Sequence, residues 1–289
     1  MATAMFDLNM GINREPPQVP STDNVDYPRA ASWANANLHE VLKDEKGRQL
    51  LLVFLHSSLA EENLYFVESV KQVMDEKDPL KKKDYFEEFY QKYSPCVNIS
   101  SAATQAIREG AQQPDPDMQA AFGLAYREVN GLLERDQFPR FKRSEVYLSY
   151  LEKLLPRAYA EKWANSFEAL LGNQIGRYYF RKYLKSIRAE ENLRFWEAVI
   201  EFRQTKNNSS AMLSMAKNIQ RQYLVEGTSH EVFLAFGIRQ LIEKRIKDDD
   251  IDASLFDDAI KHVEKVLKTE PYHRFINSEE YKNLLHKLK

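Results

Sequence analysis

The feature that most constrains the fold of this chain is an internal duplication with a period near 130 residues. The segment AEENL at residues 60–64 returns unchanged at 189–193, an offset of 129. Further matches, at offsets from 129 to 134, pair Gly47-Arg48 with Gly176-Arg177, WAN at 33–35 with 163–165, Glu68 with Glu197, and RFKRSEVYLSYL at 140–151 with RFINSEEYKNLL at 274–285. Such a period is too long for a solenoid repeat and typical of whole domains. The chain is therefore predicted to contain one domain twice.

Both copies have the residue usage of helical proteins. Helix formers dominate after Ser32, strand-like alternation is rare, and the 9 glycines and 11 prolines are few for an all-β protein. Apolar residues three or four positions apart predict a buried helix face in each copy: Leu64, Val67, Val70 and Met74 in the first, and Leu193, Trp196 and Ile200 in the second. Ser58 precedes Glu61 by three positions, which predicts a capping box and places the Glu-Glu-Asn triplet at a helix start.

Composition divides the chain into three segments. Residues 1–30 include a stretch with four prolines and few apolar side chains, which cannot bury enough surface to offset its ordering entropy. We expect a disordered tail there, a first domain at 31–155 and a second at 160–289. No linker rich in glycine and serine separates the two copies.

Charge and reactive residues exclude several classes of protein. With 41 basic and 43 acidic side chains, the net charge of −2 offers no global basic field for nucleic acid. Cys96 is the single cysteine, so neither an internal disulfide nor a zinc cluster is expected, which fits a reducing compartment. The longest apolar run, LLLVFL at 50–55, is far short of the roughly 20 residues that span a bilayer. The six histidines show no metal spacing, so we expect no metal and no cofactor.

The ordered set of duplicated motifs resembles one known family. Each copy has a Trp-rich start, a Gly-Arg pair before an apolar helix, the pattern S-x-x-(A)-EEN-L-x-F, and a closing R-F-x-x-S-x-x-Y. This combination is similar to the RGS family, the regulators of G-protein signalling, and covers nearly the whole chain after the tail. The resemblance implies an all-α fold of two consecutive nine-helix domains, each with an antiparallel four-helix bundle.

The resemblance also implies an activity. RGS domains bind the GTP-bound α subunit of heterotrimeric G proteins (Gα) and accelerate its GTP hydrolysis by holding the switch segments in their transition-state conformation. Gα already carries a catalytic arginine, yet hydrolyses GTP at only about 10⁻² per second. The implied function is therefore a GTPase activator without catalytic chemistry of its own, which attenuates signalling. A cytoplasmic location is implied, with recruitment to the inner face of the plasma membrane through Gα left open.

Family contact residues carry over well onto the first copy. The family places an asparagine against the catalytic glutamine and switch I, and Asn98 in the loop CVNIS matches it. A carboxylate that meets the switch I backbone matches Asp136, and Arg140 one turn on can brace it. The implied Gα-binding residues of the first copy are Glu62, Asn63, Asn98, Leu132, Asp136 and Arg140. The first copy departs from the family pattern at Leu59, Ala60 and Val67, of which the last is expected to be a core variation.

The second copy departs where the contacts matter more. Aligning SHEVFLAF with the Asn98 loop places Phe233 at the asparagine position, and an aromatic ring cannot make the polar contact. The corresponding weaker set is Glu191, Asn192, Val266, Glu270 and Arg274. We therefore expect the first copy to be the more active one.

Plainer interpretations stay open for each of these residues. Glu61 and Glu62 could simply complement a helix dipole. The pairs Asp136/Arg140 and Glu270/Arg274 have the i, i+4 spacing of surface ion pairs, and the asparagines could be caps. Two other functions also remain: a scaffold of the same fold that tethers Gα or another signalling partner without acceleration, and an unrelated two-domain helical enzyme.

Overall fold

The computed structural model describes residues 15–205 and 209–288, and within these ranges the protein is all-helical with no β-strand. This confirms the predicted all-α class. The chain divides into two compact units, one extending to Leu154 and the other beginning at Leu155. Nowhere in the described ranges does a helix combine the length and apolarity needed to cross a membrane.

The first unit is built from short helices joined by tight turns. They are α1 (Tyr27–Ser32), α2 (Leu38–Lys43), α3 (Glu45–Ser57), α4 (Glu61–Val73), α5 (Pro79–Glu88), α6 (Ser101–Ala111), α7 (Met118–Leu132), α8 (Phe138–Phe141) and α9 (Glu145–Leu154). Two π-helical segments continue α-helices: π1 (Phe89–Tyr93) extends α5, and π2 (Leu133–Gln137) joins α7 to α8.

The core of the first unit lies between α4, α5, α6 and α7, each of which buries apolar side chains. The hydroxyl of Ser69 in α4 lies 2.7 Å from the hydroxyl of Tyr85 in α5. Phe122 of α7 packs its ring against Tyr85, Phe86 and Phe89 at centroid distances of 5.1, 4.9 and 5.3 Å. Such aromatic pairs stabilise a core beyond the area that they bury.

The second unit repeats this helix order. Its helices are α10 (Arg157–Lys162), α11 (Phe167–Gly172), α12 (Gln174–Ser186), α13 (Glu191–Gln204), α14 (Ser209–Ile219), α15 (Ile238–Lys247), α16 (Asp257–Thr269), α17 (Pro271–Ile276) and α18 (Glu279–Lys287). One π-helical segment, π3 (Gln220–Leu224), continues α14.

The duplicated residues contact one another in the same way in both units. A Cβ added to Gly47 would lie 3.2 Å from Cε2 of Trp33, and one added to Gly176 would lie 3.3 Å from Cε2 of Trp163. The glycine of each Gly-Arg pair therefore lets the tryptophan pack directly against helix backbone. The start of each of these helices is also capped alike, because Asp44 and Asn173 each accept from the N–H groups two and three residues on.

A second repeated contact explains the duplicated arginine and glutamate. Arg48 donates to both carboxylate oxygens of Glu68, at 2.6 and 2.5 Å. In the second unit Arg177 Nε lies 3.4 Å from Glu197, which Arg181 also contacts. The sequence matches at these positions thus preserve an ion pair between neighbouring helices.

The predicted start of the Glu-Glu-Asn helix is confirmed, but its predicted capping box is wrong. Helix α4 begins at Glu61, and its N-cap is Ala60, whose methyl side chain cannot accept a hydrogen bond. Ser58 instead follows the end of α3, after which Leu59 adopts a left-handed φ of 52°. The N–H of Ala60 then donates to the carbonyl of Leu55 at 3.0 Å, so the backbone itself closes the turn.

The N-terminal segment differs from the expected disordered tail. Residues 1–14 lie outside the described residues, whereas Val25, Tyr27 and Ala30 are buried and helix α1 begins at Tyr27. The hydroxyl of Tyr150 donates to the carbonyl of Ser21 at 3.0 Å. The few apolar side chains of this segment are placed to fit the first unit, which average composition does not reveal.

Removing one closing hydrogen bond is expected to weaken the first unit. The hydroxyl of Tyr147 donates to the carbonyl of Ala30 at 2.7 Å, and burial raises the pKa of this hydroxyl. Tyr147→Phe removes this bond and leaves the carbonyl of Ala30 only the N–H of Trp33, at 3.3 Å, so we expect the free energy of unfolding to fall by about 0.5–1.5 kcal/mol. Denaturant unfolding of the full chain measures this, with exposed Tyr90→Phe as the control. An unchanged midpoint for Tyr147→Phe would show that the bond contributes nothing.

Candidate functional site

The loop that carries Asn98 is anchored on its N-terminal side by a buried valine. The N–H of Val97 donates to the carbonyl of Tyr93 at 2.8 Å, and the Val97 side chain is buried. Tyr93 ends π1 and packs its ring edge-on against Phe66 of α4, at 5.6 Å between centroids. Burial raises the pKa of Tyr93, so its hydroxyl stays neutral. Asn98 follows directly and is exposed.

On its C-terminal side the same loop is held by a glutamate that sequence reasoning missed. Glu128 of α7 accepts from the N–H of Ser100 at 2.8 Å and from its hydroxyl at 2.6 Å. Ser100 is also the N-cap of α6 and accepts from the N–H of Ala103 at 3.2 Å. The plainer interpretation in which Asn98 itself starts the next helix is therefore wrong. No local spacing signals the contact, because 28 residues separate its two partners.

The end of α7 presents the other predicted polar groups. Asp136 lies in π2, one of the π-helical segments that often mark functional regions of helices. Its carboxylate lies 3.4 Å from Nη1 of Arg140 on α8, and both side chains are exposed. Leu132, at the end of α7, is exposed as well. The predicted bracing contact is present, and its geometry is also that of an ordinary i, i+4 ion pair.

The side chains of the Glu-Glu-Asn triplet are less exposed than their predicted role in binding a partner requires. Only 8% of Glu62 and 5% of Asn63 is exposed. Glu61 is buried too, with Oε1 3.3 Å from Nδ1 of His56. As the structure stands, a partner could reach only a small part of Glu62 or Asn63. The departure at Val67 is a core variation, as expected, since its side chain is buried.

Packing contacts link these segments of the first unit to one another in pairs. The start of α4 neighbours π1 through Phe66 and Tyr93, and the Asn98 loop neighbours the end of α7 through Ser100 and Glu128. The end of α3, which leads into α4, packs Phe54 against Phe141 of α8 at 5.9 Å. We call the exposed side chains of these segments, Asn98, Leu132, Asp136 and Arg140, the first-unit face.

The corresponding loop of the second unit is held by the same kind of contact. The N–H of Val232 donates to the carbonyl of Tyr223 at 2.8 Å, and Tyr223 packs edge-on against Phe195 at 5.8 Å. This arrangement repeats that of Val97, Tyr93 and Phe66. Phe233 therefore occupies the position of Asn98, and it is 77% exposed.

The two loops differ on both sides of this position, since Val232 lies nine residues after Tyr223 whereas Val97 lies four residues after Tyr93. Helix α15 begins after Gly237, whose φ is 86°, whereas α6 begins directly after the Ser100 cap. The longer loop exposes Phe236 completely. Its brace is Glu231, which accepts from Arg239 at 2.7 Å and from the N–H of Gly227 at 2.8 Å. The hydrogen bond from Arg239 is the larger cause of the lowered pKa of Glu231.

The remaining second-unit residues repeat the first-unit pattern in part. Glu270 and Arg274 form an exposed ion pair that corresponds to Asp136 and Arg140. Asn192 is half-buried and donates to Glu191 at 3.3 Å, and Val266 is exposed. Across the described residues of both units, no group of three or more His, Cys, Asp or Glu side chains is arranged to hold a metal ion.

Comparison with known proteins gives the family. The model of the RGS family, described as the regulator of G protein signaling domain, matches residues 37–150 and 166–284. Regulator of G-protein signaling rgs-3 of Caenorhabditis elegans is 54% identical over 285 residues, which cover 99% of this chain and 78% of that protein. Regulator of G-protein signaling 21 of Homo sapiens is 35% identical over 130 residues, which cover 45% of this chain and 84% of that protein. The duplicated motifs, the all-helical units and these matches agree, and the chain belongs to the RGS family, the regulators of G-protein signalling.

Proposed function

We propose that this protein accelerates GTP hydrolysis by Gα, by holding its switch segments in the transition-state conformation and thereby attenuating G-protein signalling. In this proposal residues 31–155 and 160–289 are nine-helix RGS-type domains, each with an antiparallel four-helix bundle. The observation that carries the proposal is the exposed Asn98 on a loop fixed at both ends and bonded, through Ser100 and Glu128, to the helix that continues to the exposed Asp136–Arg140 pair.

The groups of the first-unit face suit the recognition of switch segments. The amide of Asn98 both donates and accepts, so it can pair with a backbone group and a glutamine side chain together. The carboxylate of Asp136 can accept from backbone N–H groups, and Arg140 at 3.4 Å restrains its direction. Because Gα supplies its own arginine, the partner needs only to bind the transition state more tightly than the ground state.

The two units are proposed to differ in strength. Phe233 stands where the first unit has Asn98, and its ring offers no donor or acceptor. Glu270 keeps the charge of Asp136 but is one methylene longer. These differences support a leading role for the first unit and a weaker one, or a different Gα preference, for the second.

The exposed aromatic loop of the second unit favours a second candidate function for that unit alone. Phe233 and Phe236 are both largely exposed, and exposed aromatic clusters are common at protein interfaces. The second unit could tether Gα or another signalling partner without acceleration. The proposed location is the cytoplasm, with recruitment to the inner face of the plasma membrane through Gα.

Single-turnover GTP hydrolysis tests the main proposal. Purified Gα subunits of several classes are loaded with GTP, and hydrolysis is followed with and without the full-length protein. We expect acceleration, together with tighter binding to the aluminium-fluoride-activated Gα than to the GDP form. Complex formation without acceleration would favour the tethering function, and no preference for the activated form would exclude transition-state binding.

Reversing the charge of Arg140 is expected to impair activation. In Arg140→Glu the new carboxylate faces Asp136 across one helical turn and repels the partner's acceptors, so we expect kcat/KM for Gα·GTP to fall by about tenfold. The matched variant Arg274→Glu alters the same kind of pair in the second unit and should have a smaller effect. Equal losses from the two variants would contradict the leading role of the first unit.

A further inference from the structure

We propose that Glu128 is a positioning residue for Asn98, a role that rests on the proposed function. Glu128 does not lie among the exposed groups of the first-unit face, since its side chain is half-buried along α7. It acts on the loop through Ser100, which follows Asn98 by two positions.

The contacts of Ser100 fix the loop in one orientation. Both carboxylate oxygens of Glu128 are used: Oε2 accepts from the N–H of Ser100 at 2.8 Å, and Oε1 accepts from its hydroxyl at 2.6 Å. The hydroxyl oxygen then accepts from the N–H of Ala103 at 3.2 Å. Hydrogen bonds to an ionised acceptor are shorter and stronger than neutral ones, so this pair restrains Ser100 more firmly than the helix cap alone.

Asn98 lies between two fixed points. On one side the N–H of Val97 is bonded to the carbonyl of Tyr93, and on the other Ser100 is bonded to Glu128. Only Asn98 and Ile99 separate these anchors, so the backbone that carries the amide has little freedom. A recognition group held this way loses little entropy when it binds.

Glu128 also sets the spacing between the two parts of the first-unit face. It lies on α7 four residues before Leu132, on the same side of the helix, and the same continuous helical segment carries Asp136. The bond to Ser100 therefore ties the amide of Asn98 to the helix that presents the carboxylate. A partner that must contact both groups together requires this distance to be constant.

The second unit lacks both members of this brace. At the offset of 134 that pairs Asp136 with Glu270, Glu128 corresponds to His262, and the position two after Phe233 is Ala235. Neither the carboxylate nor the hydroxyl is present where the asparagine is absent. The loss of all three together is what a shared task for Asn98, Ser100 and Glu128 would produce.

A double-mutant cycle in the full-length protein tests this role. We expect Glu128→Ala to lower kcat/KM for Gα·GTP by about tenfold, and Glu128→Gln, which keeps one acceptor oxygen, to lower it less. In an Asn98→Ala background, Glu128→Ala should cost less than about twofold, because the group that it positions is already gone. Glu109→Gln, on the exposed surface of α6, is the control and should leave the rate unchanged.

Amide hydrogen exchange of residues 98–103 gives a readout that does not depend on Gα. Faster exchange at these amides in Glu128→Ala, with the rest of the first unit unchanged, supports the brace. Unchanged exchange, or an equal loss of kcat/KM in both backgrounds of the cycle, overturns the positioning role. If the wild-type protein fails to accelerate hydrolysis, the proposed function fails, and exchange alone then decides whether Glu128 holds the loop.

Discussion

Replacing Asn98 by alanine is expected to lower the acceleration of GTP hydrolysis by about a hundredfold, as removal of a group that hydrogen-bonds a transition state typically does. The amide is exposed, so its loss removes contacts to a partner and leaves the core intact. The anchors at Val97 and Ser100 use backbone and side-chain groups other than the amide of Asn98. Single-turnover hydrolysis at subsaturating protein concentration measures the effect, with thermal unfolding to verify that stability is unchanged.

Two further variants show whether the loss is specific to this position. Asn98→Phe gives the first unit the residue of the second and should be at least as damaging as alanine. Asn192→Ala alters the half-buried asparagine of the second unit and should cost much less. Comparable losses from Asn98→Ala and Asn192→Ala would mean that both units contribute equally and that the residue at the Asn98 position does not rank them.

The largest expected effect on stability comes from Gly176→Ala. A Cβ at this position would lie 2.6 Å from the carbonyl oxygen of Leu170, a backbone atom that cannot rotate away, and 3.3 Å from Cε2 of Trp163. Overpacking of this kind typically costs about 1–3 kcal/mol, against at most about 1 kcal/mol gained in helix propensity. We therefore expect a clear drop in the denaturant midpoint of the second unit, followed by circular dichroism of the full chain.

Two other glycines serve as graded controls for that experiment. At Gly47 the nearest atoms would lie 3.1 Å from the added Cβ, so Gly47→Ala should destabilise the first unit less. At Gly172 no atom lies within 4 Å, so Gly172→Ala should be nearly neutral. If all three variants unfold at the same midpoint, small helix movements relieve the contact and close packing of the tryptophan does not constrain these positions.

The parts of the fold that the sequence predicts correctly depend on patterns within one copy or between copies. The all-α class follows from residue usage, and α4 begins at Glu61 as the triplet indicates. The matched pairs Trp33/Gly47 and Arg48/Glu68 prove to be contacts, because a duplication preserves residues that touch. The alignment of Phe233 with Asn98 is supported by the common anchor at Val97 and Val232.

The features that were missed depend on contacts between distant segments or on backbone geometry. The bond between Glu128 and Ser100 joins two helices, and no short motif indicates it. The burial of Glu62 and Asn63 is a matter of tertiary packing, and the left-handed residue Leu59 before them is a non-glycine position where the sequence gives no reason to expect one. Residues 21–30 are held in place by hydrogen bonds from Tyr147 and Tyr150, which lie far along the chain.

One repeated contact bears on how such a chain could arise. The hydroxyl of Tyr147 near the end of the first unit bonds the carbonyl of Ala30 near its beginning, and Tyr281 bonds Ala160 in the same way. In each unit the beginning and the end of the polypeptide therefore lie next to each other. A gene segment that encodes such a unit can be duplicated in tandem without disrupting either hydrophobic core. The surface residues of each copy can then change independently.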